Sequence, residues 1–491
     1  MADSSQFVLG GDLAGKPVSQ ALRLANRHGL VAGATGTGKT VTLQHLAEAF
    51  SDAGVAVFAA DVKGDLCGLG AAGNPQGKVA ERIAGMPWLN HRPQAYPVTL
   101  WDIHGQSGHP LRTTLSEMGP LLLGNLLELN DSQQAALYAA FKVADREGLL
   151  LLDIKDLKAL LGHLKDNPQV LGEDAALMTS GSTQALLRRL ATLEQQGAEA
   201  LFGEPALQLE DLLHPAADGR GRIHLLDASR LVHEAPKVYA TFLLWLLAEL
   251  FEQLPERGDA DKPLLALFFD EAHLLFSGTP KALQDRLEQV VRLIRSKGVG
   301  VYFVTQSPGD LPDDVLAQLG LRIQHGLRAF TAKEQKSLRA VADGFRPNPV
   351  FDTLAVLTEL GIGEALVGTL EEKGTPAMVE RVLIAPPQSR IGPLNETERA
   401  ALIAVSPLVG RYDKPIDRES AYEMLMARKG EAAEPPAAAQ KEEESLADKA
   451  GEFLQSAAGQ AIKSAVRQAA NQFGRQLVRG LMGSLLSSKR R

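Results

Sequence analysis

The stretch from residue 33 to residue 40 reads GATGTGKT and fits the pattern G-x-x-x-x-G-K-[ST]. It follows a short apolar run and opens a segment with apolar residues at helical spacing. Its glycines let successive backbone N–H groups face phosphate oxygens, and the helix start favours an anion. Lys39 would place its charge on the β- and γ-phosphates, and the Thr40 hydroxyl can bind Mg²⁺. We therefore predict a site for ATP with Mg²⁺, contacted by the residues Gly33, Ala34, Thr35, Gly36, Thr37, Gly38, Lys39, Thr40 and Val41.

Two adjacent carboxylates follow a second apolar run, in LLALFFDEAH. Transfer of a phosphoryl group to water needs one carboxylate near the metal and a second that orients the attacking water. We assign Asp270 to Mg²⁺, directly or through water, and Glu271 to the general base. A helix that merely begins with acidic residues would give the same pair, because the helix dipole favours them there. We assign His273 to structural hydrogen bonding and not to proton transfer.

Polar residues also follow two other apolar runs. Gln306 follows GVYFVT, and Asp61 and Lys63 lie in the stretch that follows VAVFAA. Open α/β sheets bind ligands at the carboxyl ends of their strands. Gln306 could hydrogen-bond both the γ-phosphate and the lytic water, or be a loop glutamine without a role. Asp61 and Lys63 could line the site, although a plain turn at Gly64 explains this stretch nearly as well.

Short apolar runs alternate with helical patterns along most of the chain. They predict an α/β fold with a largely parallel sheet. The predicted strands are the runs at 29–33, 55–61, 98–103, 222–228, 264–270, 300–305, RIQHGLRAF and EALVGTL. Helical patterns replace strands over 111–210, which predicts a helical insertion that divides the sheet domain into residues 1–110 and 211–429.

Composition limits the class of protein. The chain has 491 residues, a net charge of −8 and one cysteine, Cys67, so a disulfide framework is excluded. The first residues lack the pattern of a secretory signal, and a cytoplasmic location is the default expectation. The most apolar stretch, TFLLWLLAELF, is about half a membrane span and contains Glu249, so we predict a buried helix. The negative net charge argues against a protein that coats nucleic acid over its whole surface, but not against a local basic channel.

The carboxyl-terminal part differs from the rest in charge and pattern. Residues 430–445 are rich in alanine, proline and glutamate and are predicted to form a linker. Residues 446–491 combine apolar residues at near-helical spacing with basic flanks, which predicts an amphipathic helical tail. Such a tail could lie on an anionic membrane, contact DNA phosphates or pack on a partner. Packing on its own assembly is favoured.

The motifs together resemble a known family. GATGTGKT, DVKGD, FFDEAH, RLIRSKGVGVYFVTQSP and RIQHGLRAF come in the order found in the HerA/FtsK group of motor ATPases. With FRPNPVFDT, SRIGPL and DRESAYEML, the chain is similar to the bacterial HerA-like (YjgR-like) helicases up to about Arg428. The resemblance implies a RecA-like P-loop NTPase core, a homohexameric ring, DNA in the ring pore and ATP sites shared between neighbours.

The resemblance also implies an arginine that reaches the ATP site of the next subunit. The basic run Arg292, Arg295 and Lys297 holds the best match, and we favour Arg295. Arg322 and Arg328 are the reserve candidates, and a solvated surface explains any one of these arginines almost as well. Two features depart from the family. Leu321 stands where an asparagine usually precedes the arginine, and only 32 residues precede Gly33, too few for the small amino-terminal barrel of HerA itself.

Three functions are compatible with these observations. The leading one is an Mg²⁺-dependent ATPase ring, a helicase or translocase that moves on DNA. DNA enters only through the resemblance, because neither a helix-turn-helix motif nor a basic aromatic patch stands out in the sequence. The alternatives are a motor or assembly ATPase that acts on protein, and a nucleotide-regulated scaffold without DNA activity.

Overall fold

A twelve-stranded sheet runs through the structure, a computed structural model that describes residues 5–258, 260–277 and 281–433. Its strands are β1 (Gln6–Asp12), β2 (Pro17–Ala21), β3 (Gly29–Ala32), β4 (Ala56–Asp61), β5 (Val98–Asp102), β6 (His109–Pro110), β7 (Ile223–Asp227), β8 (Leu265–Phe269), β9 (Val299–Thr305), β10 (Leu321–His325), β11 (Glu364–Gly368) and β12 (Glu380–Ile384). The spatial order is β2-β1-β12-β11-β10-β3-β9-β8-β4-β7-β5-β6.

The strands from β10 to β6 in this order are all parallel, and β11, β12, β1 and β2 add an antiparallel edge. The predicted α/β fold with a mostly parallel sheet is therefore confirmed. Strands β1, β2, β6 and β12 were not predicted. Strand β6 has only two residues, and the other three belong to the antiparallel part of the sheet, whose strands lack the continuous apolar runs of the parallel part. Strand β10 was also predicted to extend to residue 330, whereas the strand ends at His325.

Helices cover the two faces of the sheet. They are α1 (Lys39–Asp52), α2 (Lys78–Ala84), α3 (Leu115–Leu126), α4 (Asp131–Glu147), α5 (Ile154–Asp166), α6 (Ser180–Gln195), α7 (Leu209–Leu213), α8 (Ser229–Glu234), α9 (Pro236–Gln253), α10 (Lys281–Ile294), α11 (Asp313–Leu316), α12 (Ala332–Asp343), α13 (Thr353–Glu359), α14 (Glu396–Ala404) and α15 (Ala421–Ala433).

The stretch in which we predict a helical insertion contains α3 to α7. Thr114, Asn130 and Asp153 cap three of these helices, each by accepting a backbone N–H with its side-chain oxygen. Their apolar faces share one core with α9 and with one face of the sheet. This shared core joins the helices to the sheet and does not mark a boundary between them. The predicted domain boundaries therefore stay predictions.

Helix α9 contains the most apolar stretch of the chain and is buried, as the sequence predicts, with Glu249 only 9% exposed. Among the helices of the described residues, none combines the length and the apolar character that a bilayer crossing requires. Helix α15 continues through Ala433 and so covers the first residues of the predicted linker. The remainder of that linker and the predicted amphipathic tail at 446–491 lie outside the described residues.

A second core fills the opposite face of the sheet, around Phe50 of α1. The Phe50 ring lies 5.2 Å from that of Phe7 in β1, 6.1 Å from Phe268 in β8 and 5.3 Å from Tyr302 in β9, measured between centroids. Phe50 is fully buried. It therefore holds the amino-terminal hairpin, the helix that follows the glycine-rich loop and the central strands together.

We expect Phe50→Ala to lower the free energy of unfolding by about 3–5 kcal/mol, because it removes a buried ring from a close-packed core. Phe330→Ala is the matched control. Phe330 is 84% exposed, and we expect its removal to change stability by no more than about 0.5 kcal/mol. Urea unfolding of both variants measures the difference, and equal losses would contradict this account of the core.

Candidate functional site

The glycine-rich loop lies between β3 and α1, at the carboxyl edge of the sheet. Its three glycines have φ values of 154° at Gly33, 78° at Gly36 and 118° at Gly38, which L side chains rarely adopt. At Gly33 space is limiting as well, since a Cβ atom would lie 2.5 Å from the Cβ of His325. The loop therefore depends on glycine for its backbone shape and for its contact with the neighbouring strand.

Lys39 begins α1 and turns its side chain back over the loop. Its ammonium donates to the carbonyl of Gly33 at 2.5 Å and to that of Ala34 at 3.1 Å. Burial, followed by the nearby Lys63, lowers its pKa, while Asp270 and Glu271 oppose that change. A phosphate oxygen bound by the loop would compete with these two carbonyls for the ammonium protons.

His325 packs against the glycine-rich loop and helps to hold it in place. This role was not predicted from the sequence. The Nε2 of His325 lies 2.8 Å from the Thr42 hydroxyl in α1, and its Nδ1 lies 2.9 Å from the carbonyl oxygen of Glu364. Burial lowers the pKa of His325 to about 4, so its ring is neutral near pH 7. Nδ1 then donates to the carbonyl, and Nε2 accepts from Thr42. The histidine at the end of RIQH was the available signal, but only the pairing of β10 with β3 places it here.

Asp270 and Glu271 follow β8 at the same edge. The Glu271 N–H donates to Oδ1 of Asp270 at 2.9 Å, and the Tyr239 hydroxyl donates to the Asp270 carbonyl at 2.7 Å. Burial is the main cause that raises the pKa of Asp270 to about 6, and the neighbouring Glu271 carboxylate adds to it. Positive charge from Lys63 and Lys39 acts in the opposite direction. A divalent cation at Asp270 would likewise favour its ionised form.

Glu271 has a left-handed backbone, with φ 48° and ψ 46°, a conformation that stores strain in a residue with a side chain. Its Oε2 is buried and makes no hydrogen bond within the described residues. The ring of His273 lies nearby, with its Nδ1 3.4 Å from Oε2. An unsatisfied buried carboxylate oxygen is unfavourable unless another group, such as a water molecule, hydrogen-bonds to it.

The strand order brings the loop and the carboxylates together. Strand β9 lies between β3 and β8, with Thr305 beside Ala32 and Phe303 beside Phe269. Gln306 therefore leaves the sheet between the glycine-rich loop and Asp270, and its side chain is exposed. Since neighbouring strands are about 4.8 Å apart, these three strand ends lie within about 10 Å of one another.

Asp61 and Lys63 take different positions. Both oxygens of the buried Asp61 accept backbone N–H groups, from Gly64 at 2.8 Å and Leu66 at 3.0 Å. Burial raises the pKa of Asp61 to about 7, and nearby Asp65 contributes to the rise. Asp61 thus holds the turn after β4. Lys63 is exposed and close enough to Lys39 and Asp270 to influence the pKa of each.

The candidate arginines lie at two different edges of the sheet. Arg295 is exposed and precedes β9, so it lies at the amino edge, opposite the glycine-rich loop of its own chain. Arg322 lies near the amino end of β10, where its guanidinium donates to the carbonyls of Leu316, Leu319 and Gly344. Arg328 follows β10 at the same edge as the loop and is exposed.

The other two members of the basic run also differ. Arg292 is exposed, whereas Lys297 donates to the carbonyl of Leu254 at 2.7 Å and pairs with Glu256. A lysine with these partners holds the chain between α9 and β8. Arg292 and Arg295 are thus the exposed members of the run, whereas Lys297 is held by its own chain.

The protein side chains at this site could hold a magnesium ion only together with the phosphates of a nucleotide. Among the residues that the structure describes, no three His, Cys, Asp or Glu side chains converge on a point that could hold a metal. Mg²⁺ usually keeps several waters and takes one or two protein ligands together with phosphate oxygens. Thr40 at the start of α1 and Asp270 after β8 can supply those two ligands.

We expect Lys39→Ala to weaken ATP binding at least about 100-fold, because its ammonium lies directly over the loop. Lys63→Ala is the control, since it removes the same charge from an exposed position nearby, and we expect a change of less than about fivefold. Titration of ATP with Mg²⁺ in a calorimeter measures both. Equal losses would show that the general field, and not contact at the loop, determines affinity.

Comparison with solved structures shows the same fold in the coupling protein TrwB, at low sequence identity. The bacterial conjugative coupling protein TrwB aligns over 80% of this chain and 91% of its own, with 15% identity and a TM-score of 0.53. TrwB in complex with ADP and Mg²⁺ aligns over 78% and 90%, with 14% identity and a TM-score of 0.52. VirB4 of Thermoanaerobacter pseudethanolicus aligns over 81% and 99%, with 17% identity and a TM-score of 0.49.

No curated protein sequence matches the chain closely. A family model does match, over residues 6–491, and it describes the helicase HerA-like C-terminal region. The match includes the glycine-rich loop, the Asp270–Glu271 pair and strand β9, so the resemblance to HerA-type ATPases is confirmed. The chain belongs to the helicase HerA-like C-terminal family.

Proposed function

We propose that this protein is an Mg²⁺-dependent ATPase that assembles as a homohexameric ring and couples ATP hydrolysis to movement on DNA. One observation carries the enzymatic part. Three adjacent parallel strands, β3, β9 and β8, deliver the glycine-rich loop, Gln306 and the Asp270–Glu271 pair to one edge. Family membership and the likeness to TrwB, a conjugative coupling protein, support the action on DNA.

The geometry supports a part in hydrolysis for each of these residues. Loop amides and Lys39 would bind the phosphates, and Thr40 and Asp270 would hold Mg²⁺, which would neutralise charge on the transferred group. Glu271 orients the attacking water and accepts its proton, a role that its unsatisfied Oε2 supports. Gln306 lies between the two groups and would bond to the γ-phosphate and the water, so it can report which nucleotide is present.

The position of Arg295 supports a site shared between subunits. Strand β9 spans seven residues, so about 20 Å separate Arg295 from the loop at the opposite end of the strand. An arginine at that distance cannot reach the phosphates of its own chain. Arg295, Arg322, Arg27 and Arg346 line one cavity of about 330 Å³ at the amino edge. The phosphates of ATP bound to a neighbouring subunit would contact a positively charged surface there.

We expect Glu271→Gln to bind ATP and lower its hydrolysis about 100-fold or more, because the water loses its base. Steady-state ATPase assays with and without Mg²⁺, single-stranded DNA and duplex DNA measure this. DNA should raise the wild-type rate. Binding of ATP without turnover in the wild-type protein would favour the scaffold, and turnover that ignores DNA would favour a motor that acts on protein.

Mixing inactive subunits tests the shared site. In a shared site one subunit supplies Glu271 and its neighbour supplies Arg295, so the Arg295→Ala and Glu271→Gln defects lie on opposite sides of a subunit interface. A ring that contains both variants therefore has some interfaces at which both groups are intact. We expect mixtures to regain part of the wild-type ATPase rate. Particle mass in solution, with ATP and Mg²⁺, provides the control for assembly. No regain at any ratio in assembled rings would rule Arg295 out as the shared arginine.

A further inference from the structure

A helix on the antiparallel side of the sheet presents an unpaired basic face. Residues 328–340 read RAFTAKEQKSLRA and carry four basic residues and one acid, in a chain whose net charge is −8. We define the basic patch as Arg328, Phe330, Lys333, Lys336 and Arg339. All five side chains are exposed, and Phe330 is 84% exposed.

The helix packing decides which face is exposed. Leu338 and Val341 of α12 are buried in a small core with Phe345, Val356 and Leu357. At about 100° per residue, Lys333, Lys336 and Arg339 fall within about 120° of the helix circumference, on the side opposite Leu338 and Val341. The three charges therefore form one stripe along the helix and are not scattered around it.

No ion pair within the described residues neutralises this stripe. None of its basic side chains pairs with another described residue. Glu334, the acid within the segment, accepts the backbone N–H groups of Phe330 and Thr331 at 2.8 and 2.9 Å and caps the helix. Asp343, at the end of the helix, is the one acid on the exposed side. An ordinary solvated helix face usually intersperses both signs of charge.

The basic patch is joined directly to the glycine-rich loop. The carbonyl of Gly326 accepts the backbone N–H of Ala34 at 3.1 Å. The next residue, Leu327, begins the segment that leads to α12, and its N–H donates to the carbonyl of Leu357 in α13. Only five residues, 327–331, separate Gly326 from the first residue of α12. A ligand on the basic patch would thus be connected to the glycine-rich loop through a short segment that is hydrogen-bonded to the loop. A motor that couples DNA binding to ATP hydrolysis would require such a connection.

We propose that the basic patch binds the phosphodiester backbone of DNA. This inference rests on the proposed function and gives it a surface that neither the sequence nor the family description assigns. Lys333, Lys336 and Arg339 contact phosphates along the strand, and Phe330 offers a face on which an unpaired base can stack. The resulting contact is independent of base sequence, because it reads charge and not base edges.

The test removes the stripe and leaves the rest of the charge unchanged. The patch variant carries Lys333→Gln, Lys336→Gln and Arg339→Gln. The control variant carries Lys16→Gln, Lys414→Gln and Arg92→Gln, which make the same change of charge at exposed positions elsewhere. Fluorescence anisotropy measures the affinity of each for single-stranded and duplex oligonucleotides from about 50 to 200 mM salt, the range in which phosphate contacts dominate.

We expect the patch variant to lose affinity at least about tenfold, and its salt slope to fall by about two to three units, because three phosphate contacts are lost. The control variant should keep both values, and all proteins should keep the DNA-independent ATPase rate and the particle mass. Phe330→Ala distinguishes the form of DNA. It should lower affinity for a single strand about tenfold if an unpaired strand lies on the patch, and leave affinity unchanged if a duplex does.

Four outcomes would overturn the inference. Equal losses in the two triple variants would mean that net charge alone attracts DNA. Loss of the assembled particle in the patch variant would mean that the stripe contacts a neighbouring subunit. Wild-type affinity in the patch variant would place the DNA elsewhere and leave the proposed function intact. A wild-type protein that binds no DNA would remove both proposals together.

Discussion

The pairing of three parallel strands is the constraint on which the rest of the site depends. Strands β3, β9 and β8 run in the same direction and end at the same edge, so their last residues open onto one space. Gly33, Gln306 and Asp270 are far apart in the chain, and none of them binds the others directly. A shift of one residue in either pairing would turn alternate side chains to the opposite face and move Gln306 and Asp270 relative to the glycine-rich loop.

The helix that follows the glycine-rich loop is fixed by an unusual polar contact. Glu48 of α1 is 2% exposed, and its carboxylate accepts the N–H groups of Gln388 and Ser389 at 2.8 and 2.9 Å. Burial raises the pKa of Glu48 to about 7. Residues 385–394, which include SRIGPL, thus form a strap across α1. A buried carboxylate is tolerated here because the strap supplies its hydrogen bonds, and the orientation of the loop depends on a segment more than 340 residues further along the chain.

Strain and unsatisfied hydrogen bonding meet at Glu271. A residue with a side chain in the left-handed region and a buried oxygen without a partner would both destabilise an ordinary turn. Close packing around it, with Tyr239 bound to the adjacent carbonyl, holds this arrangement in place. Within the described residues Oε2 accepts no hydrogen bond, although His273 Nδ1 lies 3.4 Å away, so this oxygen can accept one from water.

The sequence alone determined the α/β class, the central strands and the glycine-rich loop, because these depend on local patterns: apolar runs, helical spacing and glycines where φ must be positive. It also named Asp270, Glu271 and Gln306, since each follows such a run. It could not find β1, β2 and β12, the support that His325 gives to the loop, or the stripe on α12. Those features exist only once distant segments pair and one helix face is buried. Tertiary structure alone decided that Asp61 holds a turn and that Arg295 lies at the far edge, because hydrogen-bond partners and strand direction are set by packing and not by spacing along the chain.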